Sequence, residues 1–280
     1  MPYRGIKHES HMNKIVSSPT LQRIRSVAEK KVISFRRTIT QDIIKEKIFF
    51  LHVPKCGGTS TDAAIQKAYR WKACVHLNSR ASQRSAQFLK EEMDIHRNQI
   101  LPYFLEQELL KYVSGHFVFD EDIFEKYSPQ WNFVTLLRNP VDKYISQYFY
   151  NSRKDSHQHF AINESLDEYI ETDEGKSLGN DLVRRFAGKS FRNNLKSSQK
   201  KAIDQAVENL KKFRLVGLLE EMDSFISGFK HCFNATLRVK QKNKNPEKKE
   251  SAISPEILNE IENLCENDLE VYHKIRNVIL

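Results

Sequence analysis

From Lys47 onward, short apolar runs alternate with longer stretches in which apolar residues recur every three or four positions. Ile48-Phe49-Phe50-Leu51-His52-Val53 is a compact apolar, aromatic run of the buried-strand type. Pro54 stops it, Gly57-Gly58 turn the chain, and Thr59 to Tyr69 reads as a helix. Two further helices are predicted at 82–92 and 102–111, followed by a short strand, Tyr112-Val113-Ser114, that leads into Gly115-His116. Trp131 to Leu137 is a second strongly apolar strand. Arg138-Asn139-Pro140 follows at once, with Asn139 suited to a helix N-cap and Pro140 to the first helical position. The chain is polar from Asn151 to about Leu178 and then helical again. Ala202, Ala206, Asn209, Leu210 and Phe213 mark one face of an amphipathic helix, and Leu215 to Leu219 reads as another buried strand. Ser254-Pro255-Glu256 opens a terminal helix with Ile257, Ile261, Leu264, Leu269 and Tyr272 on its apolar side. Strands alternating with helices predict an α/β fold, a P-loop-like central parallel sheet flanked by helices on both faces. No internal repeat and no coiled-coil period is present.

Residues 1–45 read differently, as a basic N-terminal arm, helical or partly disordered, ahead of a single domain over 46–280. Arg23, Arg25, Lys30, Lys31, Arg36 and Arg37 crowd this arm, and Leu21, Ile24, Val27 and Ala28 follow helical spacing. Met1 to His11 has the look of a leader, with Met12 the natural start. Seventeen Phe, ten Tyr and two Trp, each able to bury about 150–250 Å², exclude a disordered chain. Nine Gly and eight Pro exclude a collagen-like or linker-like one. The four cysteines, Cys56, Cys74, Cys232 and Cys265, form no CxxC pair and are too scattered for a disulfide framework. No run reaches the roughly 18 apolar residues of a membrane span, and the N-terminus lacks the apolar stretch of a secretory signal. As it stands the chain reads as cytoplasmic, with membrane association only through residues 1–45 or a segment upstream; a Golgi luminal domain trimmed from an anchored protein would read the same.

Charge narrows the partners. Forty-five Lys and Arg against 36 Asp and Glu leave a net +9, which favours phosphates, acidic glycans, nucleic acid or an acidic surface. No nucleic-acid module and no interleaved aromatic-basic stripe is present, so nucleic acid is not expected.

Two segments carry the chemistry. In Phe50-Leu51-His52-Val53-Pro54-Lys55-Cys56-Gly57-Gly58-Thr59-Ser60, a strand passes through glycines into a helix N-terminus, where converging N–H groups and about half a positive charge attract an anion. Lys55 adds a full charge; Thr59 and Ser60 add hydroxyls. A Walker loop would place its Lys after the last Gly, whereas Lys55 precedes both. In Phe133 to Tyr148, Arg138 stands at the carboxyl end of a strand, where open α/β sheets bind ligands. Asn139, Lys143 and Ser146 follow at helical spacing that puts them on one face. An Arg fork and a Ser hydroxyl there suit a second phosphate.

Together these motifs resemble the PAPS-dependent carbohydrate sulfotransferases (PAPS is 3′-phosphoadenosine 5′-phosphosulfate), within them the heparan sulfate and uronyl 2-O-sulfotransferase group. The likeness runs from about Lys47 to Tyr272. It takes in Gly115-His116-Phe117-Val118, Leu215-Val216-Gly217-Leu218-Leu219-Glu220 and Asn243-Lys244-Asn245-Pro246. The resemblance implies that Lys55, Cys56, Gly57, Gly58, Thr59 and Ser60 bind the 5′-phosphosulfate, and that Arg138 and Ser146 bind the 3′-phosphate. PAPS is then the sulfate donor and the 3′,5′-bisphosphate the product, with no metal required. The acceptor is a hydroxyl of a saccharide or of another hydroxyl-bearing molecule, acidic ones included, chosen by the segments 72–111 and 151–180. His116 stands where the family's catalytic His stands; imidazole titrates near neutrality and suits removal of an alcohol proton. Lys55 offsets charge on the leaving phosphate. One departure is Ser114-Gly115-His116, where 2-O-sulfotransferases show His-Gly-His. The resemblance also brings the basic stretch Arg238 to Glu250 near the nucleotide, through Lys242, Lys244 or Lys248.

Cys56 is the cysteine expected to be reactive, since Lys55 and a helix N-terminus would lower its pKa. His157 and His159 are too sparse for a metal site. Two other readings compete: a P-loop-like nucleotide kinase or hydrolase, which would need magnesium, and a non-enzymatic basic binder of anionic glycans, which would show salt-sensitive binding without turnover.

Overall fold

The computed structural model describes residues 44–70, 73–155, 160–191, 199–240 and 253–279. The expected N-terminal helix, His157, His159, Lys242, Lys244 and Lys248 lie outside them.

Five strands form one parallel sheet: β1 (Lys47–Leu51), β2 (Cys74–His76), β3 (Tyr112–Gly115), β4 (Trp131–Leu137) and β5 (Leu215–Leu218), in the order β2-β3-β1-β4-β5. The chain leaves the central β1 for the edge strand β2, comes back inward to β3 beside β1, and crosses to β4 and β5 on the other side. The crossover puts the carboxyl ends of β1, β3 and β4 side by side, the edge at which sheets of this kind bind ligands.

The connecting helices are α1 (Gly58–Ala68), α2 (Ser79–Leu89), α3 (Met93–Leu105), α4 (Glu121–Tyr127), α5 (Pro140–Asn151), α6 (Leu166–Glu171), α7 (Asp173–Leu178), α8 (Asp181–Phe186), α9 (Gln199–Lys211), α10 (Met222–Phe233), α11 (Pro255–Leu264) and α12 (Glu266–Ile279). Alternate residues of β1 face opposite layers. Phe49 and Leu51 pack with Phe117, Phe133 and residues of α8, α9 and α12; Ile48 and Phe50 pack with Ile65 of α1 and Phe225 and Phe229 of α10. Both faces of the sheet are therefore dry, which explains unbroken apolar runs in place of alternation. A third cluster joins Tyr144 and Tyr148 of α5 to Tyr169 of α6 and Ile261 of α11. No helix among the described residues is long and apolar enough to cross a membrane.

Several elements depart from the sequence reading. The helix expected at 102–111 spans Met93–Leu105, with Pro102 in its last turns in place of its start. The single terminal helix is two, broken at Cys265. The short strand β2 and the helices α4 and α10 carry no strong sequence signal.

Candidate active site

The loop from β1 to α1 leaves the N-terminal end of α1 without a side-chain cap. Gly57 caps α1 with φ 73°, a left-handed conformation that favours glycine, and no side chain caps the helix. No acidic residue stands in the first turn, so the end N–H groups and the helix field remain available to a ligand. Gly58 is required by contact: a Cβ there would meet the His52 ring at 2.0 Å. Lys55 also has positive φ, 62°, and its ammonium lies 4.0 Å from the centre of the Tyr150 ring. Burial, then the charges of Arg138, Arg153 and Lys154, pull the Lys55 ammonium below the usual lysine range. Thr59 is exposed and Ser60 half-buried.

Arg138 is brought to the same loop, its guanidinium donating to the Lys55 carbonyl at 3.4 Å. Ser146 is half-buried on α5. Lys143, expected on one face with Asn139 and Ser146, instead points inward. It is 2% exposed and pairs with Asp181 at 2.8 Å, among Arg184 and Arg185 on the same carboxylate. Asn139 is occupied as well, its side chain accepting the N–H groups of Val141 and Asp142 at 3.0 and 3.3 Å.

Cys56 reverses an expectation. Its thiol is fully buried, and burial pushes its pKa up to about 12, overriding the lowering effect of Lys143. Its contribution to an anion site is confined to the backbone.

At the end of β3, His116 donates from Nδ1 to the His52 carbonyl at 2.8 Å, because a carbonyl can only accept. Nε2 is thus its basic nitrogen. Burial pushes the His116 pKa down to about 4; the carbonyl bond opposes this, while Arg185 and Arg97 reinforce it. The segment after β3 is pinned from behind. Arg97 donates to the His116 carbonyl at 3.4 Å, Arg185 to the Phe117 carbonyl at 3.3 Å, and Asn98 exchanges two hydrogen bonds with the Val118 backbone.

Two imidazoles escape the sequence reading. His52, at the end of β1, is buried with its ring centre 4.5 Å from that of His116, and its Nδ1 has no partner. His76, at the end of β2, has its ring centre 6.1 Å from that of His52. The signal for His52 was its place in the quoted loop motif; for His76 there was none, since β2 is only three residues long. Among the described residues no three His, Cys, Asp or Glu side chains are arranged to hold a metal ion.

A search of curated proteins returned no match. A solved sulfotransferase from Alicyclobacillus acidocaldarius aligns over 82% of this chain and 100% of its own, at 15% identity and a TM-score of 0.42. The model of the sulfotransferase family matches residues 37–274, a span that contains all five strands and both strand-turn-helix corners, and the chain belongs to that family.

Proposed function

We infer that this sulfotransferase takes its sulfuryl group from PAPS and transfers it to a hydroxyl of a saccharide. The observation that carries the reading is the uncapped end of α1, with Lys55 in its loop and the Arg138 guanidinium reaching that loop from the end of β4. The N–H groups of Gly58 and Thr59, with the Ser60 hydroxyl, would hold the 5′-phosphosulfate. Arg138 and Ser146 would hold the 3′-phosphate. Lys55 would leave the Tyr150 ring for the oxygen on which charge develops as the sulfur–oxygen bond breaks. His116 would accept the acceptor proton at Nε2, in line with the departing bisphosphate. The cations Lys55, Arg138, Arg153 and Lys154 around the loop favour an acidic saccharide.

Calorimetric titration with 3′,5′-ADP beside 5′-AMP and ATP, without magnesium, tests the donor. The expected result is a preference of tenfold or more for the bisphosphate, about 1.4 kcal/mol. Equal affinity for all three would overturn the two-phosphate assignment. Magnesium-dependent preference for ATP would favour the kinase reading; salt-sensitive glycan binding without turnover would favour the binder.

A further inference from the structure

His76 is not an isolated surface imidazole. Its Nδ1 stands 2.9 Å from the Ser114 hydroxyl and 3.3 Å from Asp62 Oδ2. Asp62, on α1, accepts the hydroxyls of Ser114 and Tyr112 on one oxygen, each at 2.6 Å, and the Gln66 amide on the other at 2.7 Å. The single Ser114 proton is committed to Asp62, so Ser114 can only accept from His76. Nδ1 of His76 therefore carries a hydrogen, and Nε2 is left as its basic nitrogen on a side chain 36% exposed. Burial opposes ionisation of Asp62, but the hydrogen bonds from His76, Ser114 and Tyr112 outweigh it and hold the carboxyl below its usual range. An ionised carboxylate behind a partly exposed imidazole is the arrangement that fixes its tautomer and orientation.

The pairing also bears on the departure at position 114. His76 is the cross-strand partner of Ser114 in the β2–β3 register. The imidazole absent from Ser114-Gly115-His116 is thus matched by one from the adjacent strand, with the serine turned to Asp62. His116, half-buried against His52, has the guanidinium groups of Arg97 and Arg185 behind its strand end; His76, its ring centre 6.1 Å from that of His52, is more exposed and has a carboxylate behind it.

We propose that His76, oriented by Asp62 and Ser114, is the second proton-transfer imidazole of this site and the exit for the acceptor proton. The proposal rests on the sulfuryl-transfer reading above. As the acceptor oxygen–sulfur bond forms, the bond from sulfur to the bridging phosphate oxygen breaks and its electron pair stays on the bisphosphate. The hydroxyl proton, taken at Nε2 of His116, is handed to water, which delivers it to Nε2 of His76 and from there to bulk solvent. Asp62 and Ser114 act as positioning residues.

The test combines ¹⁵N-histidine NMR of the full chain with PAP release from PAPS, using chemically desulfated heparin as the hydroxyl probe and water as the control. The wild type should show His76 with its hydrogen on Nδ1, and Asp62→Asn should disturb that signal while leaving the His116 tautomer unchanged. His76→Ala should lower PAP release at least tenfold with bisphosphate affinity and thermal midpoint unchanged, and added imidazole should restore part of it; His76→Gln should be as slow as His76→Ala. A hydrogen on Nε2 of His76, turnover within twofold of wild type in His76→Ala, or a loss that imidazole does not restore would each overturn the proposal. Absence of bisphosphate binding by the wild type would instead overturn the donor reading, and the tautomer measurement would still decide the role of His76.

Discussion

The molecule contains two strand-turn-helix corners that look alike in sequence and behave in opposite ways. At the β1–α1 corner, Gly57 ends the turn without a side-chain cap and no acid stands in the first helical turn. At the β4–α5 corner, Asn139 caps two N–H groups, Pro140 removes a third, and Asp142 stands in the first turn. The Asn139 N–H is also committed, donating to Glu220 at 2.9 Å, and Glu220 accepts the Tyr272 hydroxyl at 2.9 Å. The first helix end is available to an anion through its backbone; the second is closed by its own side chains. An anion at the second corner would have to be held by side chains, the role proposed for Arg138 and Ser146.

The sharpest way to break this contrast is Gly58→Val. A Cβ meets the His52 ring at 2.0 Å, and overpacking of this kind costs about 1–3 kcal/mol of stability. Displacement of His52 or of the α1 end should also reduce 3′,5′-ADP affinity by roughly a hundredfold, about 2.7 kcal/mol. Calorimetry and a melting curve read both; unchanged affinity would mean that the α1 end is not the anion site.

Acid titration probes the same corner through its imidazoles. Burial lowers the pKa of His52 well below its usual value and that of His116 to about 4. In the unfolded chain both take up protons below about pH 6.5, while the folded chain resists. Stability that is complete above pH 6.5 should therefore fall as the pH drops toward 4, with a slope approaching about 1.4 kcal/mol per pH unit for each imidazole. Denaturant midpoints across this range check it, and His116→Ala should flatten the slope by one proton.

Arg138→Ala then separates the corners. It should weaken 3′,5′-ADP by about 10- to 100-fold, in keeping with roughly 1.5–3 kcal/mol for hydrogen bonds to a charged group, while 5′-AMP changes by less than about threefold. Equal losses for both nucleotides would assign Arg138 to the 5′ side. Asn139→Ala should have the converse profile. Loss of the cap costs about 1 kcal/mol of stability, read as a lower melting midpoint, with bisphosphate affinity within about twofold.

How much of this was legible in the sequence follows from range. β1 and β4 announce themselves because strands dry on both faces need unbroken apolar runs, and Asn139-Pro140 carries its cap in two residues. His76 was missed because β2 exists only through pairing with β3. The start of α3 was misplaced because Pro102 looks like a first helical residue; the helix instead begins at Met93 and tolerates Pro102 near its end. The break at Cys265 follows neither Gly nor Pro. Lys143 has the spacing of an active-site residue, yet Asp181, 38 positions on, draws it into the interior. Local pattern sets faces and caps; ion pairs and burial are set by distant chain.

Cys56 gives the smallest expected effect and the finest test of the contrast. Local reasoning makes it reactive, since it sits between Lys55 and an uncapped helix end, both of which stabilise a thiolate. The fold turns its side chain away into the core, where burial outweighs those charges and pushes the pKa up to about 12. At pH 8 roughly one thiol in ten thousand would be ionised, against about a quarter for an ordinary cysteine. Iodoacetamide should therefore leave Cys56 unmodified in the native protein while labelling the half-buried Cys232, as peptide mass mapping would read. Cys56→Ala should cost about 1 kcal/mol of packing and change bisphosphate affinity by less than about twofold. Rapid labelling of Cys56 that the bisphosphate blocks would show the thiol facing the ligand. The open corner would then bind its anion with side chains as well as backbone, and the difference between the two corners would narrow to the cap alone.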